Sequence, residues 1–133
     1  MLALIERDGA LLLGRRSDCG RWGLVGGRVE IEESLEDGLR REVREETGLA
    51  AVECLLFGVF DDPTRIVRYP DGNVVRLLTF AYEVRVQDFG TLRRSGESEE
   101  LRFFCRQELA SLDVIETARP IIEGYVSRDV PPS

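Results

Sequence analysis

Gly27–Leu49 reads GRVEIEESLEDGLRREVREETGL, and the helix inside it decides how the rest of the chain is read. Ser34 is a ready N-cap, Asp37 stands three residues on where a capping box takes an acid, and Gly48 fits the residue that ends a helix. The spacing predicts a helix over Ser34–Thr47. At about 100° per residue, with Leu35 at zero, Leu39 falls at about 40° and Val43 at about 80°, forming the apolar stripe that meets a core. Glu46 falls at about 20°, inside that stripe, and Glu42 at about −20°, at its edge. Glu45 lies farther out beside Arg41, and Glu36, Arg40 and Arg44 take the solvated face.

Three physical terms oppose this placement of Glu42 and Glu46. Stacked like charges cost about 0.2–0.5 kcal/mol. Anions near a helix C-terminus cost about 0.3–1 kcal/mol each. Uncompensated burial costs more again. A bound divalent cation reverses all three, because clustered carboxylates are hard oxygen ligands suited to Mg²⁺. A surface helix laced by Glu36–Arg40, Asp37–Arg41 and Arg41–Glu45 pairs accounts for Glu36 and Glu45 but leaves Glu46 unexplained.

Outward from the helix, Leu2–Ile5 and Ala10–Leu13 flank Asp8-Gly9 and read as a hairpin. Trp22–Val25 reads as a short strand running into Gly26-Gly27, Val52–Phe60 as a strand, and Asp61–Tyr69 as a loop. Asp71-Gly72-Asn73 reads as a tight turn before a strand over Val74–Val86. Thr91–Glu100 reads as an acidic loop, Leu101–Cys105 as a strand, Glu108–Leu112 as a helical turn, and Thr117–Val126 as a helix with Pro120 in its first turn. This order suggests an α/β fold with helices packed on a mixed sheet. The 133 residues and 43% apolar content fit one domain over 1–133, with a loose tail over 128–133.

The bulk numbers exclude several functions. With no histidine, zinc–histidine sites and histidine-based triads are ruled out, so proton chemistry falls to carboxylates and other groups. A net charge of −7 argues against duplex nucleic acid as partner but leaves room for small phosphorylated ligands if a cation intervenes. No apolar run reaches the ~18–20 residues of a membrane span. Glu6, Arg7 and Asp8 interrupt the apolar start, and Cys19, Cys54 and Cys105 lack metal or redox spacing. These features predict a cytoplasmic protein with reduced thiols that serve as packing residues.

The quoted stretch resembles the Nudix (MutT-like) box, G-x5-E-x7-R-E-U-x-E-E-x-G-U with U apolar. Gly27, Glu33, Arg41, Glu42, Val43, Glu45, Glu46, Gly48 and Leu49 stand at its nine specified positions. Val25 and Glu32 depart from residues common beside the box, at positions the box does not define. The resemblance implies an α/β/α sandwich and a metal-dependent hydrolase of a nucleoside diphosphate linked to another group. It implies Glu42, Glu45 and Glu46 as ligands of Mg²⁺, with Mn²⁺ as a substitute, and a carbonyl of Gly26 or Gly27 as a further oxygen. It further implies that Arg41 orients carboxylates and that Glu33 and Gly48 are structural. The general base is left open among Glu42, Glu45 and a glutamate of the later loop, namely Glu97, Glu99 or Glu100, with Glu99 the leading candidate there. Arg16 and Arg65 are candidates to grip phosphate and Tyr69 to stack on a base. Homodimers are a frequent assembly in the family. Two other functions fit the fold: a non-catalytic nucleotide sensor, which usually lacks box glutamates, and an isoprenoid diphosphate isomerase, for which Cys54 and Cys105 give no match.

Overall fold

The computed structural model describes residues 1–128, the side chains of residues 62–65 and 67 excepted. Nine elements follow in order: β1 (Leu2–Arg7), β2 (Ala10–Arg16), β3 (Trp22–Gly26), α1 (Leu35–Thr47), β4 (Ala51–Arg68), β5 (Val74–Val86), β6 (Ser98–Phe104), α2 (Arg106–Ser111) and α3 (Arg119–Arg128). One sheet runs β4-β5-β1-β3-β2-β6. The β1–β5 pair is parallel and its neighbours are antiparallel, so the sheet is mixed.

The central strands are apolar on both faces because both faces are covered. Ala3, Ile5, Leu12 and Val25 meet Leu39 and Val43 of α1 on one side. Leu4, Leu11, Leu13 and Leu24 meet Ile121, Ile122 and Tyr125 of α3 on the other. This is the α/β/α sandwich the sequence implied. The β1–β2 hairpin turns at Asp8 and Gly9, both at positive φ (53° and 80°), the conformation a tight two-residue turn demands. α1 begins with Ser34 Oγ accepting the Asp37 N–H at 3.1 Å and ends at Gly48, whose N–H bonds Arg44 O at 2.9 Å.

Four readings are corrected. The segment Asp61–Tyr69 is no loop up to Arg68: β4 continues to that residue, pairing Ile66 with Arg76 and Arg68 with Val74, after a register irregularity between Asp61 and Ile66. Pro63 is tolerated there because β4 is the sheet's edge, where a missing N–H costs little. β6 starts earlier than expected, at Ser98, because Ser98 and Glu100 pair with Arg16 and Arg15. Arg128, placed by sequence in a loose tail, is the last residue of α3 and pairs with Glu83; residues 129–133 lie outside the described ones. Cys19 and Cys105 are exposed and do no packing, whereas Cys54 is half-buried.

Candidate active site

The site forms where the end of β3, the loop 27–34 and α1 converge. Glu46 projects from the apolar side of α1 toward the sheet, and its Oε2 accepts the Gly26 N–H at 2.7 Å. Gly27 lies against Glu42: a Cβ there would sit 2.7 Å from the Glu42 carboxylate, so any larger residue would displace the acid or the loop. Gly26 has a φ of 151°, and a Cβ would fall 2.1 Å from Met1 O. Two glycines in sequence thus let the loop pass between β1 and two carboxylates.

Arg41 organises the acids. Its Nη2 and Nε reach both oxygens of Glu33 at 2.7 and 3.1 Å, its Nη1 donates to Glu42 Oε1 at 3.0 Å and Glu45 Oε2 at 3.2 Å, and Nη2 also donates to Arg28 O at 3.2 Å. One guanidinium therefore ties loop to helix and fixes Glu42, the fork geometry that lysine cannot supply. The expected Asp37–Arg41 pair is absent from the described contacts because Arg41 turns to Glu33; the expected Glu36–Arg40 pair forms at 2.9 Å. Glu33 also accepts the Glu30 N–H at 2.9 Å.

The electrostatics divide the acids. The Arg41 hydrogen bond, with the Glu30 N–H, holds Glu33 down at about 2. Burial pushes Glu46 up to about 8 against the pull of the Gly26 N–H, and Glu42, Glu97 and Glu45 add to the rise. Burial also raises Glu42 despite Arg41. Among the described residues no arginine pairs with Glu46 within 4.0 Å. A carboxylate this desolvated and this close to other acids is costly unless a cation or proton joins it.

Glu46 stands at the wall of a cavity of about 630 Å³. Gly26, Gly27, Arg28, Arg16, Asp18 and Glu97 line it as well. Leu2, Leu24, Leu101 and Ile115 make its apolar floor, while Ser17, Ser98, Thr79 and Thr117 supply hydroxyls. A hollow of about 270 Å³ between Glu45, Glu46 and Glu97 joins α1 to the later acidic loop.

The structure brings Glu42, Glu45, Glu46, Gly26, Gly27 and Arg41 together, with Glu33 bound behind them. Gly27 O accepts the Met1 ammonium at 2.7 Å. Of the later glutamates it brings Glu97, held by Glu97 O accepting the Ser17 N–H at 3.1 Å. Glu99 instead faces Arg15 in an ion pair of 3.2 Å that lacks hydrogen-bond geometry at Nε, and it is not among the residues lining the cavity. Glu100 pairs with Arg102 at 2.8 Å. Arg16 lines the cavity but is engaged by Asp18 at 2.6 Å. The Arg65 side chain lies outside the described residues. Tyr69 stacks on no ring among the described contacts; its hydroxyl accepts from Arg28 Nη1 at 2.9 Å. Arg28 is the residue that sequence reasoning missed. It follows Gly27 at a position the motif leaves open, so no pattern singled it out. Trp22 is buried and meets Phe104 edge-on at 4.8 Å, a packing role.

Among the described residues no three Cys, Asp or Glu side chains converge closely enough to hold a metal ion by themselves. The donors present suit an ion that keeps its own waters: all are hard carboxylate or carbonyl oxygens, and two of the carboxylates are held partly out of water. Mg²⁺ has that habit.

A mixed sheet between helices, with a glutamate-bearing loop and helix at one end, defines a Nudix hydrolase. The chain belongs to that family: the NUDIX domain matches residues 1–125. A MutT-like protein of Streptomyces ambofaciens is 45% identical over 141 residues, covering 98% of this chain and 84% of its own. A CTP pyrophosphohydrolase of Escherichia coli (strain K12) is 29% identical, covering 94% and 88%. Among solved structures, a MutT NUDIX hydrolase from Burkholderia pseudomallei superposes with a TM-score of 0.69 at 29% identity, over 92% of each chain.

Proposed function

We propose that this protein hydrolyses the diphosphate linkage of a nucleoside diphosphate derivative, releasing a nucleoside monophosphate and a phosphorylated product. The observation that carries the proposal is Glu46: a half-buried carboxylate with a raised pKa, without an arginine partner among the described residues, in the wall of a cavity that also holds Arg16 and Arg28. The MutT-like and CTP pyrophosphohydrolase relatives support the same reaction class.

Glu42, Glu46 and the more exposed Glu45 would hold Mg²⁺, with Mn²⁺ as a substitute and a Gly26 or Gly27 carbonyl as a further oxygen. When bound, the metal neutralises the diphosphate and lowers the pKa of water. The chain's own residues do the rest. Arg41 keeps Glu42 and Glu45 aimed in one direction. The Gly26 N–H fixes the rotamer of Glu46. Arg28 and Arg16 offer positive charge to phosphate oxygens, Arg16 after leaving Asp18. A carboxylate takes the proton of the attacking water as the oxygen–phosphorus bond forms and the bridging oxygen departs with the second phosphate. Glu97 and Glu45 are the best placed for that role, facing each other across the small hollow; Glu99 would need to break from Arg15. The apolar floor and its hydroxyls suit a nucleoside, stacked between aliphatic side chains rather than on an aromatic ring.

The test is turnover of a panel of nucleoside triphosphates, nucleotide sugars, ADP-ribose and dinucleoside polyphosphates, with Mg²⁺ and with chelator, products identified by mass, beside the Glu46→Gln variant. Metal-dependent turnover that this variant loses supports the reading. Binding without turnover under both Mg²⁺ and Mn²⁺ would replace it with a nucleotide sensor.

A further inference from the structure

Two glycines face each other across the β2–β3 ladder, Gly14 with Gly23. Glycine weakens the interior of a strand, so it stands there for a bulge, a bend or a close approach. Neither of these two has a positive φ, and the ladder runs through the pair without a register shift. The reason is space. A Cβ on Gly14 would sit 2.9 Å from Ser98 Oγ and 3.2 Å from Leu101 Cδ2; a Cβ on Gly23 would sit 3.1 Å from Ile115 Cδ1 and 3.4 Å from its Cγ1. All five residues line the large cavity. Both glycines are buried, so it is Leu101 and Ile115, lying down on them, that form the surface a ligand meets.

Ile115 has nowhere to retreat. Its N–H donates to Trp22 O at 2.8 Å, its carbonyl accepts from Ala118 and Arg119 at 3.1 and 3.2 Å, and Val114 before it is 1% exposed. With the backbone pinned, a methyl added at Gly23 turns the Ile115 side chain into the cavity. Leu101 is held in a similar way, by its ladder pairing with Gly14. We propose that the Gly14–Gly23 pair sets the height of the cavity floor, and that this height selects ligands carrying a flat heteroaromatic ring over ligands that carry only a sugar.

This selection rests on the nucleotide reading above and names the part of the substrate that is read. A ring offers an apolar face to Leu101 and Ile115, whereas a sugar would bury hydroxyls against methyl groups without partners. Position agrees. Gly26, whose N–H Glu46 accepts, is three residues along β3 from Gly23, roughly 10 Å at ~3.3 Å per residue. A ring on the floor and a diphosphate at Glu46 are therefore a ribose apart. The two glycines touch no ligand themselves; they are positioning residues that act through Leu101 and Ile115.

The test is calorimetric binding, with Mg²⁺ present, of adenosine and cytidine 5′-monophosphates and of ribose 5-phosphate, which lacks the base. The wild type, Gly23→Ala, and Gly23→Ala combined with Ile115→Val are compared; the valine removes the Cδ1 that the new Cβ would strike. Gly23→Ala is expected to weaken the tighter-binding nucleotide at least about tenfold and to leave ribose 5-phosphate within about twofold. Adding Ile115→Val should restore nucleotide affinity to within about threefold of the wild type. Methyl NMR of the wild type gives a reading that needs no variant: the nucleotide should move the Ile115 Cδ1 methyl upfield by its ring current, and ribose 5-phosphate should not. Nucleotides that bind no better than ribose 5-phosphate, an Ile115 methyl that does not move, a Gly23→Ala loss shared by both kinds of ligand, or a double variant no better than the single would each overturn the inference. A protein that turns over nothing in the panel, yet shows the base-dependent affinity and its rescue, would end the hydrolase reading and leave the selecting floor in place.

Discussion

The same face of the sheet is finished in two opposite ways. At one end α1 lies over it, and Leu39 and Val43 are fully buried against Ala3, Ile5 and Leu12. There the chain concentrates charge, with Glu33, Arg41, Glu42, Glu45 and Glu46 in a connected set. At the other end the β4–β5 ribbon offers half-exposed aliphatic side chains and almost no net charge. The first end is overdetermined: caps, glycines and a guanidinium hold acids where burial works against them. The second is underdetermined, held by backbone ladders and by the Asp61–Arg76 pair. A region that stores electrostatic cost against rigid packing is built to bind something charged.

The largest effect is expected from Glu46→Gln. Activity is expected to fall by at least about 10³-fold. The metal-free fold is expected to gain about 1–2 kcal/mol at pH 8, because the neutral amide still accepts the Gly26 N–H and carries no desolvated charge. Steady-state kinetics and thermal melts in chelator measure the two together. Opposite signs in activity and stability are the signature of a binding site; a loss in both would mean that Glu46 supports the fold.

Arg41→Ala comes next. It removes donors to Glu33, Glu42 and Glu45 at once. A modest stability loss is expected, limited by the partial exposure of the guanidinium and read by thermal melts. The apparent metal affinity should fall by about 10–100-fold, the range seen when a residue orienting ligands is lost. Calorimetric titration with Mn²⁺ reads it. Arg41→Lys should recover little of that affinity, since an ammonium cannot span three carboxylates.

The two ends were unequally legible. α1 could be read because its signals are local: Ser34 and Gly48 mark its limits, and Leu35, Leu39 and Val43 mark its buried side. Glu46 stood out by breaking that pattern, and the structure places it on the wall of the cavity. The ribbon could not be read. Asp61, Asp62 and Pro63 carry the composition of a loop, yet pairing with β5 draws the chain on to Arg68. Edge position is a property of the assembled sheet, absent from any window of sequence. The placement of Glu97 over Glu99 was hidden for a similar reason. Three glutamates within four residues share one composition, and it is the pairing of β6 with Arg16 and the Ser17–Glu97 bond that decide which faces the cavity.

The pH dependence of the metal-free protein sharpens the contrast within the site. Glu46 rises from 4.5 in the unfolded chain to about 8 in the fold. The folded state therefore retains a proton that the unfolded chain releases, and stability falls as pH climbs from 4.5 to about 8, with a slope of up to ~1.4 kcal/mol per pH unit. Glu33 has the opposite sign. Held at about 2 by Arg41, it contributes stability that is present above 4.5 and is lost as pH falls toward 2. Melts in chelator from pH 3 to 9 should show a maximum between these two windows. Glu46→Gln should flatten the alkaline limb and leave the acid limb in place. Saturating Mg²⁺ should flatten the alkaline limb as well, by holding the Glu46 carboxylate in its charged form.

The smallest effect concerns the bond that ties the two ends together, Arg28 Nη1 to the Tyr69 hydroxyl at 2.9 Å. Arg28 belongs to the glycine loop and Tyr69 to the turn after β4, and both side chains are exposed, so Tyr69→Phe should change the melting temperature little, within about 0.5 kcal/mol of stability. Its effect should show in substrate binding. Arg28 Nη1 would lose an anchor and sample more rotamers, at a cost of about 1 kcal/mol to hold it on a phosphate. That predicts a KM raised about fivefold with kcat unchanged, because the cost of restraining Arg28 is met on binding and is the same in ground and transition states. Arg28→Gln should raise KM further, and adding Tyr69→Phe to it should do nothing more, since the tyrosine acts through the arginine. Equal, additive effects in the double variant would show instead that Tyr69 meets the substrate itself, and the ribbon would then be part of the site rather than its neighbour.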